Sequence, residues 1–240
     1  RDNRGQSTIH VLNAKNGETI WMKNRNTRNG WSTPAVVEHE GKTQVITTAS
    51  RQKEGDRSNP GKVISYDLEN GNVIWECSGL TDNAIPCPIV EGGVAYCMTG
   101  YQGFSLLAVP ISGRGDQSEN ILWKGDLGTP YVPSAVLYDG LLYFTQSNQA
   151  ILSCIDAQTG KVLMERTRLP GLSNVYASLV GAGNHIYVVG RYGKTAVLKR
   201  TGKFDLVATN TLGDRFDASP AVAGDQLFLR GHKFLYCIGK

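Results

Sequence analysis

Apolar and polar residues alternate in short runs along this chain, and each run meets a turn signal before a helical period can develop. The stretch Leu152 to Met164, LSCIDAQTGKVLM, shows the unit. Ser153 and Ile155 before the bend, and Val162 and Met164 after it, recur at every second residue as half-buried strands do. Asp156 and Gly160 bracket the bend. An Asp or Asn side chain can cap the amides that a turn leaves unpaired, and Gly supplies the positive φ that ends it.

The bracket recurs. Asn13–Gly17 is followed by Trp21, Asp67–Gly71 by Trp75 and Asp156–Gly160 by Met164. Leu198–Gly202 with Leu206 is a weaker copy, and Trp123 keeps the aromatic where the turn is longer. A second marker alternates with the first: a small strand, usually with proline, then glycine, then another strand. Its equivalent positions are Pro34, Pro88, Ala135, Leu179 and Pro220, about 41 to 54 residues apart. Each step holds four strands, the unit of a β-propeller blade.

The expected fold is therefore all-β, a β-propeller of four-stranded antiparallel blades. Complete blades are expected at 31–79, 80–126, 127–170 and 171–210, with partial blades at 1–30 (strands C and D) and 211–240 (strands A, B and C). In one full unit, A is 133–138, B 141–147, C 150–156 and D 161–168. Small Ser134 and Ala135 suit an innermost strand, and tryptophan in strand D suits the outer rim, where a wide ring can wedge against the next blade. Closing the partial ends on each other would leave one C strand in excess. The expectation is a piece of a larger seven- or eight-bladed propeller, its ring completed by missing N-terminal blades or by a second chain. The charged opening RDNRGQSTIHVL reads as the edge of a strand, in keeping with a mature form or a fragment.

Composition changes this picture little. Apolar residues make up 40% of the 240, enough for a core, and no run approaches the ~18 apolar residues a membrane helix needs. The net charge of +4 does not by itself imply nucleic acid, and no specific nucleic-acid partner is expected. Cys77, Cys87, Cys97, Cys154 and Cys237 form no CxxC pair and read as small buried hydrophobes. Four histidines lack metal-ligand spacing, and there is no GxSxG elbow. Gly190–Thr195 reads as a B–C hairpin loop rather than a phosphate loop, and Arg114-Gly115-Asp116 as part of a stretched, polar C–D turn.

The turns DAQTGKVLM and DLENGNVIW, with NAKNGETIW carrying Asn for Asp, resemble the repeat of the quinoprotein-dehydrogenase-like (PQQ-like repeat) propellers, roughly A-x-D-x-x-T-G-x-x-x-W. The closing SPAVAGDQLFLRGHKFLYCIG resembles the C-terminal end of their BamB-like, non-catalytic branch, named for the periplasmic lipoprotein of the outer-membrane barrel-assembly machine. The resemblance implies a protein-binding scaffold acting through its loop faces, without catalytic residues, cofactor or metal, in the periplasm or outside the cell. One alternative is a quinone-dependent alcohol or sugar dehydrogenase, whole or in part, which would require PQQ and Ca²⁺. Against it, no two cysteines are adjacent, and acids such as Asp67 and Asp156 are explained by turn capping. A carbohydrate- or polyanion-binding module is a third possibility, with Tyr101, Tyr131 and Tyr192 as exposed rings.

In a propeller the D–A and B–C loops share one face. Here that face carries an excess of positive charge and the opposite face an excess of negative charge. Lys23, Arg25, Arg28, Arg51, Lys53, Arg57, Arg191, Lys194, Arg230 and Lys233 lead the basic side, which is expected to dock an acidic protein partner. Charge reversal at Arg25, Arg28 and Arg51 would test it, and the B–C insertion 49–61 is expected to be the most mobile element. Residues at the starts of A strands, Trp31, Ser32, Tyr131, Tyr176 and Asp217, are expected to line the central channel.

Overall fold

The structure, a computed structural model, describes residues 7–239, so the first six residues of the expected partial blade 1–30 lie outside the described residues, as does residue 240. Among the described residues every regular element is a strand. The chain divides into two compact units, Arg1–Asp126 and Leu127–Lys240.

In the first unit, β1 (Ser7–Leu12) pairs with β2 (Thr19–Arg25). β3 (Ala35–His39), β4 (Lys42–Ala49), β5 (Gly61–Asp67) and β6 (Val73–Leu80) follow as an antiparallel meander. The next meander is β7 (Ile89–Glu91), β8 (Val94–Thr99), β9 (Ser105–Pro110) and, after the short β10 (Gly115–Asp116), β11 (Trp123–Gly125). In the second unit, β12 (Val136–Tyr138), β13 (Leu141–Thr145), β14 (Ile151–Asp156) and β15 (Val162–Arg168) form one sheet. β16 (Val180–Ala182), β17 (His185–Val189), β18 (Lys194–Lys199) and β19 (Leu206–Thr211) form a second. The last holds β20 (Ala221–Ala223), β21 (Gln226–Arg230) and β22 (Leu235–Ile238). The fold is an all-β propeller of antiparallel blades, with C and D strands first and A, B and C strands last.

One blade differs from the four-strand expectation. β10 leaves its own sheet and adds in parallel to the outer edge of β6, Gly115 opposite Trp75 and Asp116 opposite Glu76. Gln117 N–H donates to the Glu76 carbonyl (2.7 Å), and Ser78 N–H to Ser118 Oγ (2.9 Å). The Arg-Gly-Asp stretch is thus partly a fifth strand that covers an edge, a place where unpaired backbone groups invite association.

The C–D turns show why the bracket repeats. Gly17, Gly71 and Gly160 each donate an N–H to the carbonyl of the capping Asn13, Asp67 or Asp156 at 2.8–2.9 Å. Each cap's Oδ1 accepts a turn amide: Lys15 at 2.9 Å, Glu69 at 2.8 Å and Thr159 at 2.8 Å. The three glycines have φ of +76°, +70° and +72°, the left-handed region that disfavours a Cβ. A register shift recurs next to the cap, at Val11/Leu12, Ser65/Tyr66, Cys154/Ile155 and Val197/Leu198. Such bulges increase local twist.

Two further devices join neighbouring sheets. Thr33, Cys87, Ser134, Ser178 and Ser219 all lie two residues before an A strand. Thr33 N–H donates to Cys87 Sγ (3.3 Å), Ser134 N–H to Ser178 Oγ (3.0 Å) and Ser178 N–H to Ser219 Oγ (2.9 Å). Small polar side chains therefore stitch the innermost strands together, a reason for small residues there beyond crowding. At the outer side, Trp21 lies directly against Gly71 of the next sheet's turn, where an added Cβ would sit 2.7 Å from the indole. Leu163 lies against Gly202 in the same way, at 3.1 Å. The turn glycine thus serves two needs, positive φ and close approach.

Between these devices lie apolar cores. In the first unit Ile46, Val63, Trp75, Cys77, Leu107 and Val109 pack together. Gln44 is buried beside them and accepts from Trp75 Nε1 (3.1 Å) and Ser65 Oγ (2.8 Å) while donating to the Ile111 carbonyl (3.0 Å). Tyr143, Leu152, Leu169, Ile186 and Leu198 lead the core of the second unit. Cys77, Cys97 and Cys154 are buried hydrophobes as expected, whereas Cys237 is exposed. Burial pushes the Cys77 thiol up to about 11 and Cys154 to about 12.

Candidate partner-binding face

The loops that follow B strands are braced by the loops that follow D strands. In the first unit Arg51, two residues beyond β4, forms a 3.0 Å ion pair with Asp82, and their side chains are 10% and 4% exposed. Asp82 also accepts from Gly55 N–H (3.2 Å). Arg28 pairs with Glu54 at 3.6 Å, and Gln102 Nε2 donates to the same carboxylate (3.0 Å). Ser50 Oγ donates to the Asn29 carbonyl, and Gln52 to that of Asn26. The first half of the insertion expected to be mobile, residues 50–55, is tied by its side chains and backbone to neighbouring loops. Beside it Trp31, 56% exposed, lines a hollow of 280 Å³ with Arg28, Arg51, Glu54 and Tyr101.

The second unit repeats the device. Arg191, two residues beyond β17, forms an ion pair with Asp217 (Nε to Oδ1, 2.6 Å), and its guanidinium lies 4.1 Å above the Tyr176 ring. His232 Nε2 is 3.0 Å and Arg215 Nε 3.8 Å from Asp217 Oδ2. Burial pushes the Asp217 carboxyl up, but hydrogen bonds from His232 and Arg191 outweigh it and the net direction is down. Asp214 accepts from the backbone N–H groups of Arg215, Lys233 and Phe234 and from Tyr236 Oη, fixing the β21–β22 loop. Burial raises its pKa too, and those four donors again carry it below its ordinary value.

These contacts sort the expected basic residues. Arg51 is buried, and Arg28 and Arg191 are half-buried in ion pairs. Lys23 and Arg25 belong to strand β2 rather than to a loop, because the half-buried alternation of Trp21 runs on through both of them. Arg25 donates to Tyr66 Oη (3.2 Å) and Thr47 Oγ1 (3.0 Å). Lys53, Arg57, Lys194, Arg230 and Lys233 remain exposed. Of the residues expected to line a channel, Tyr176 and Asp217 come together with Arg191 and His232. Ser32 Oγ lies 2.6 Å from Thr48 Oγ1, and half-buried Tyr131 is held through its N–H to the Ser147 carbonyl (3.1 Å). Tyr192 is 62% exposed, whereas Tyr101 is half-buried. Sequence reading missed Glu54, Asp82 and Arg215 as partners. The signal that could have found the pairs is the equal placement of Arg51 and Arg191 after their B strands.

A calcium-held quinone would need unneutralised carboxylates converging on one point. Asp82 and Asp217 are held by arginines, Asp67 and Asp156 cap turns, and no group of three or more His, Cys, Asp or Glu gathers among the described residues. Among the described residues no helix is long and apolar enough to cross a membrane.

Comparison with known proteins places this geometry. No curated protein sequence matches the chain. Among solved structures, BamB from Moraxella catarrhalis superposes with a TM-score of 0.70 at 14% identity, over 97% of this chain and 66% of that one. The chain therefore spans 66% of that relative's length, and the likeness is one of fold. A PQQ-like-repeat family model described as outer membrane protein assembly factor BamB matches residues 2–166. With more than half of its length matched, and with the capped turns and D-strand tryptophans inside the matched region, the chain belongs to the BamB family of PQQ-like-repeat β-propellers.

Proposed function

We propose that this chain is a protein-binding scaffold without a catalytic centre of its own, and that the B–C and D–A loops are the side it presents. What a relative is named for, outer membrane protein assembly, supplies the class of partner: a component of that apparatus, in the periplasm.

The observation that carries the reading is the bracing of the loops. Arg51–Asp82 and Arg191–Asp217 fix the loop backbones before any partner arrives, which lowers the entropy cost of binding. Exposed Lys53, Arg57, Lys194 and Lys233 supply the charge that steers an acidic surface toward them.

The test is affinity for purified outer-membrane assembly components at low and physiological salt. Arg57→Glu with Lys194→Glu should weaken binding about tenfold or more while circular dichroism stays unchanged. Equal binding by the variant would count against the reading. So would dye reduction by wild-type protein mixed with PQQ and Ca²⁺, or salt-sensitive glycan binding in place of protein. Arg51→Glu is a poor variant for this purpose, because it would set two carboxylates together out of water and lower stability by about 3–5 kcal/mol.

A further inference from the structure

A groove of 530 Å³ lies between β2 and the sheet of β4, β5 and β6, reaching to the B–C insertion at Ser50, Gln52 and Asn59. Its position is informative. Where the second sheet of this unit meets the third, the space is filled by Ile46, Val63, Trp75, Cys77 and Leu107. Where the first meets the second, Ile9 packs on Val45, Ile64 and Tyr66 over part of the seam, and beside that contact Lys23 and Arg25 on β2 face Lys62 on β5 across the groove. Where that seam is charged it gives up the burial that an apolar contact gains, roughly 25 cal/mol per Å².

The cations are held in place. Arg25 is fixed on Tyr66 and Thr47, Lys23 Nζ bonds Asn72 Oδ1 at 3.4 Å, and Lys62 Nζ pairs with Glu76 at 2.6 Å. Three cations against one carboxylate leave a positive excess. Asn26, Asn59 and Asn72 line the same groove; a carboxamide carries a donor and an acceptor that match a peptide group, the Asn72 oxygen already taking one bond from Lys23. Tyr66 is buried, 4% exposed, with Arg25 above one face, so its ring offers no open face for a sugar to stack on. From Lys62 to Tyr66 the floor runs about 13 Å, the length of four to five extended residues.

We propose that this seam binds an extended acidic segment of a protein, its carboxylates at Lys23 and Lys62 and its backbone on the asparagine carboxamides. The inference deepens the scaffold reading and rests on it, by naming the chemistry of the partner's segment.

The probe is a fluorescein-labelled hexapeptide of alternating Glu and Ser, titrated by anisotropy at low salt, beside its Lys–Ser counterpart and a heparin hexasaccharide. Saturable binding of the acidic peptide is expected, weakened about fivefold or more in Lys23→Glu and in Lys62→Gln. Amides of residues 59–66 should gain hydrogen-exchange protection when it binds. Absence of saturable binding, equal binding by Lys23→Glu, equal binding of the basic peptide, or displacement by the saccharide in preference to the acidic peptide would each overturn the proposal. Loss of partner binding in the Arg57/Lys194 variant, together with no acidic-peptide binding by wild type, would sink the groove and leave the scaffold reading standing.

Discussion

Replacing Gly71 by alanine probes the double use of the turn glycine. Gly71 has φ +70°, and its Cβ would meet Trp21 Cε3 at 2.7 Å and Cδ2 and Cζ3 at 2.9 Å. The indole cannot swing away freely, because Nε1 donates to the Leu68 carbonyl at 2.7 Å. Gly17 supplies the control: φ is +76° with nothing within 4 Å of the added Cβ. A left-handed alanine costs about 1–2 kcal/mol, and overpacking of a fitted contact about 1–3 kcal/mol more. Gly17→Ala should therefore cost about 1–2 kcal/mol and Gly71→Ala about 2–5 kcal/mol, read from urea unfolding followed by circular dichroism. In a Trp21→Ala background the Gly71 penalty should fall to the Gly17 value, a coupling of about 1–3 kcal/mol. Equal penalties at the two glycines, or a cycle that is simply additive, would refute the claim that close approach as well as φ selects glycine here.

Gln44→Leu should cost about 2–4 kcal/mol in the same assay, because it strands the buried Trp75 N–H and Ile111 carbonyl that the amide now satisfies; a change below 1 kcal/mol would show that those groups find other partners. With a thiol reagent on the native protein, Cys237 should react quickly, and Cys77, Cys97 and Cys154 only after unfolding, as their burial dictates. Fast labelling of all five would contradict the packing. Hydrogen bonds from the Thr159 hydroxyl and amide hold Asp156 below the ordinary carboxylate range, and those from Ser118 do the same for Asp116. Their folded pKa values lie below the unfolded ones, so the stability they confer is present above about pH 4 and lost as pH falls through the folded values. Asp156→Asn should flatten the loss of stability between about pH 5 and 3; parallel curves would sink this assignment.

Much of the fold was legible because the capped turn is local. Asp156 and Gly160 meet within four residues, and their requirements show in residue type alone. Trp21 could be read as a wedge at the outer rim for the same reason, since its spacing from the turn is fixed. The strand β10 was not legible: two residues have no alternation to show, and their partners on β6 lie far back along the chain. Arg51 and Asp82 are 31 residues apart and Arg191 and Asp217 are 26 apart, so their mutual neutralisation depends on the fold. Sequence alone therefore named Arg51 and Arg191 without the acids that hold them. Gln44 sits on a strand where a polar residue reads as solvent-facing, and only the approach of Trp75 and the Ile111 carbonyl from other elements makes it a buried hub.

Photo-crosslinking in cells reports on the loop side most directly. A crosslinker placed at position 57, in the loop after β4, or at 194, where β18 begins just past its B–C turn, compares with one at 92 or 224, in A–B hairpins at the opposite ends of their sheets. Discrete adducts with envelope proteins from 57 and 194, and none from 92 or 224, are the expected result; adducts from 92 or 224 alone, or equally from all four, would contradict the assignment of the braced loops as the partner-binding face.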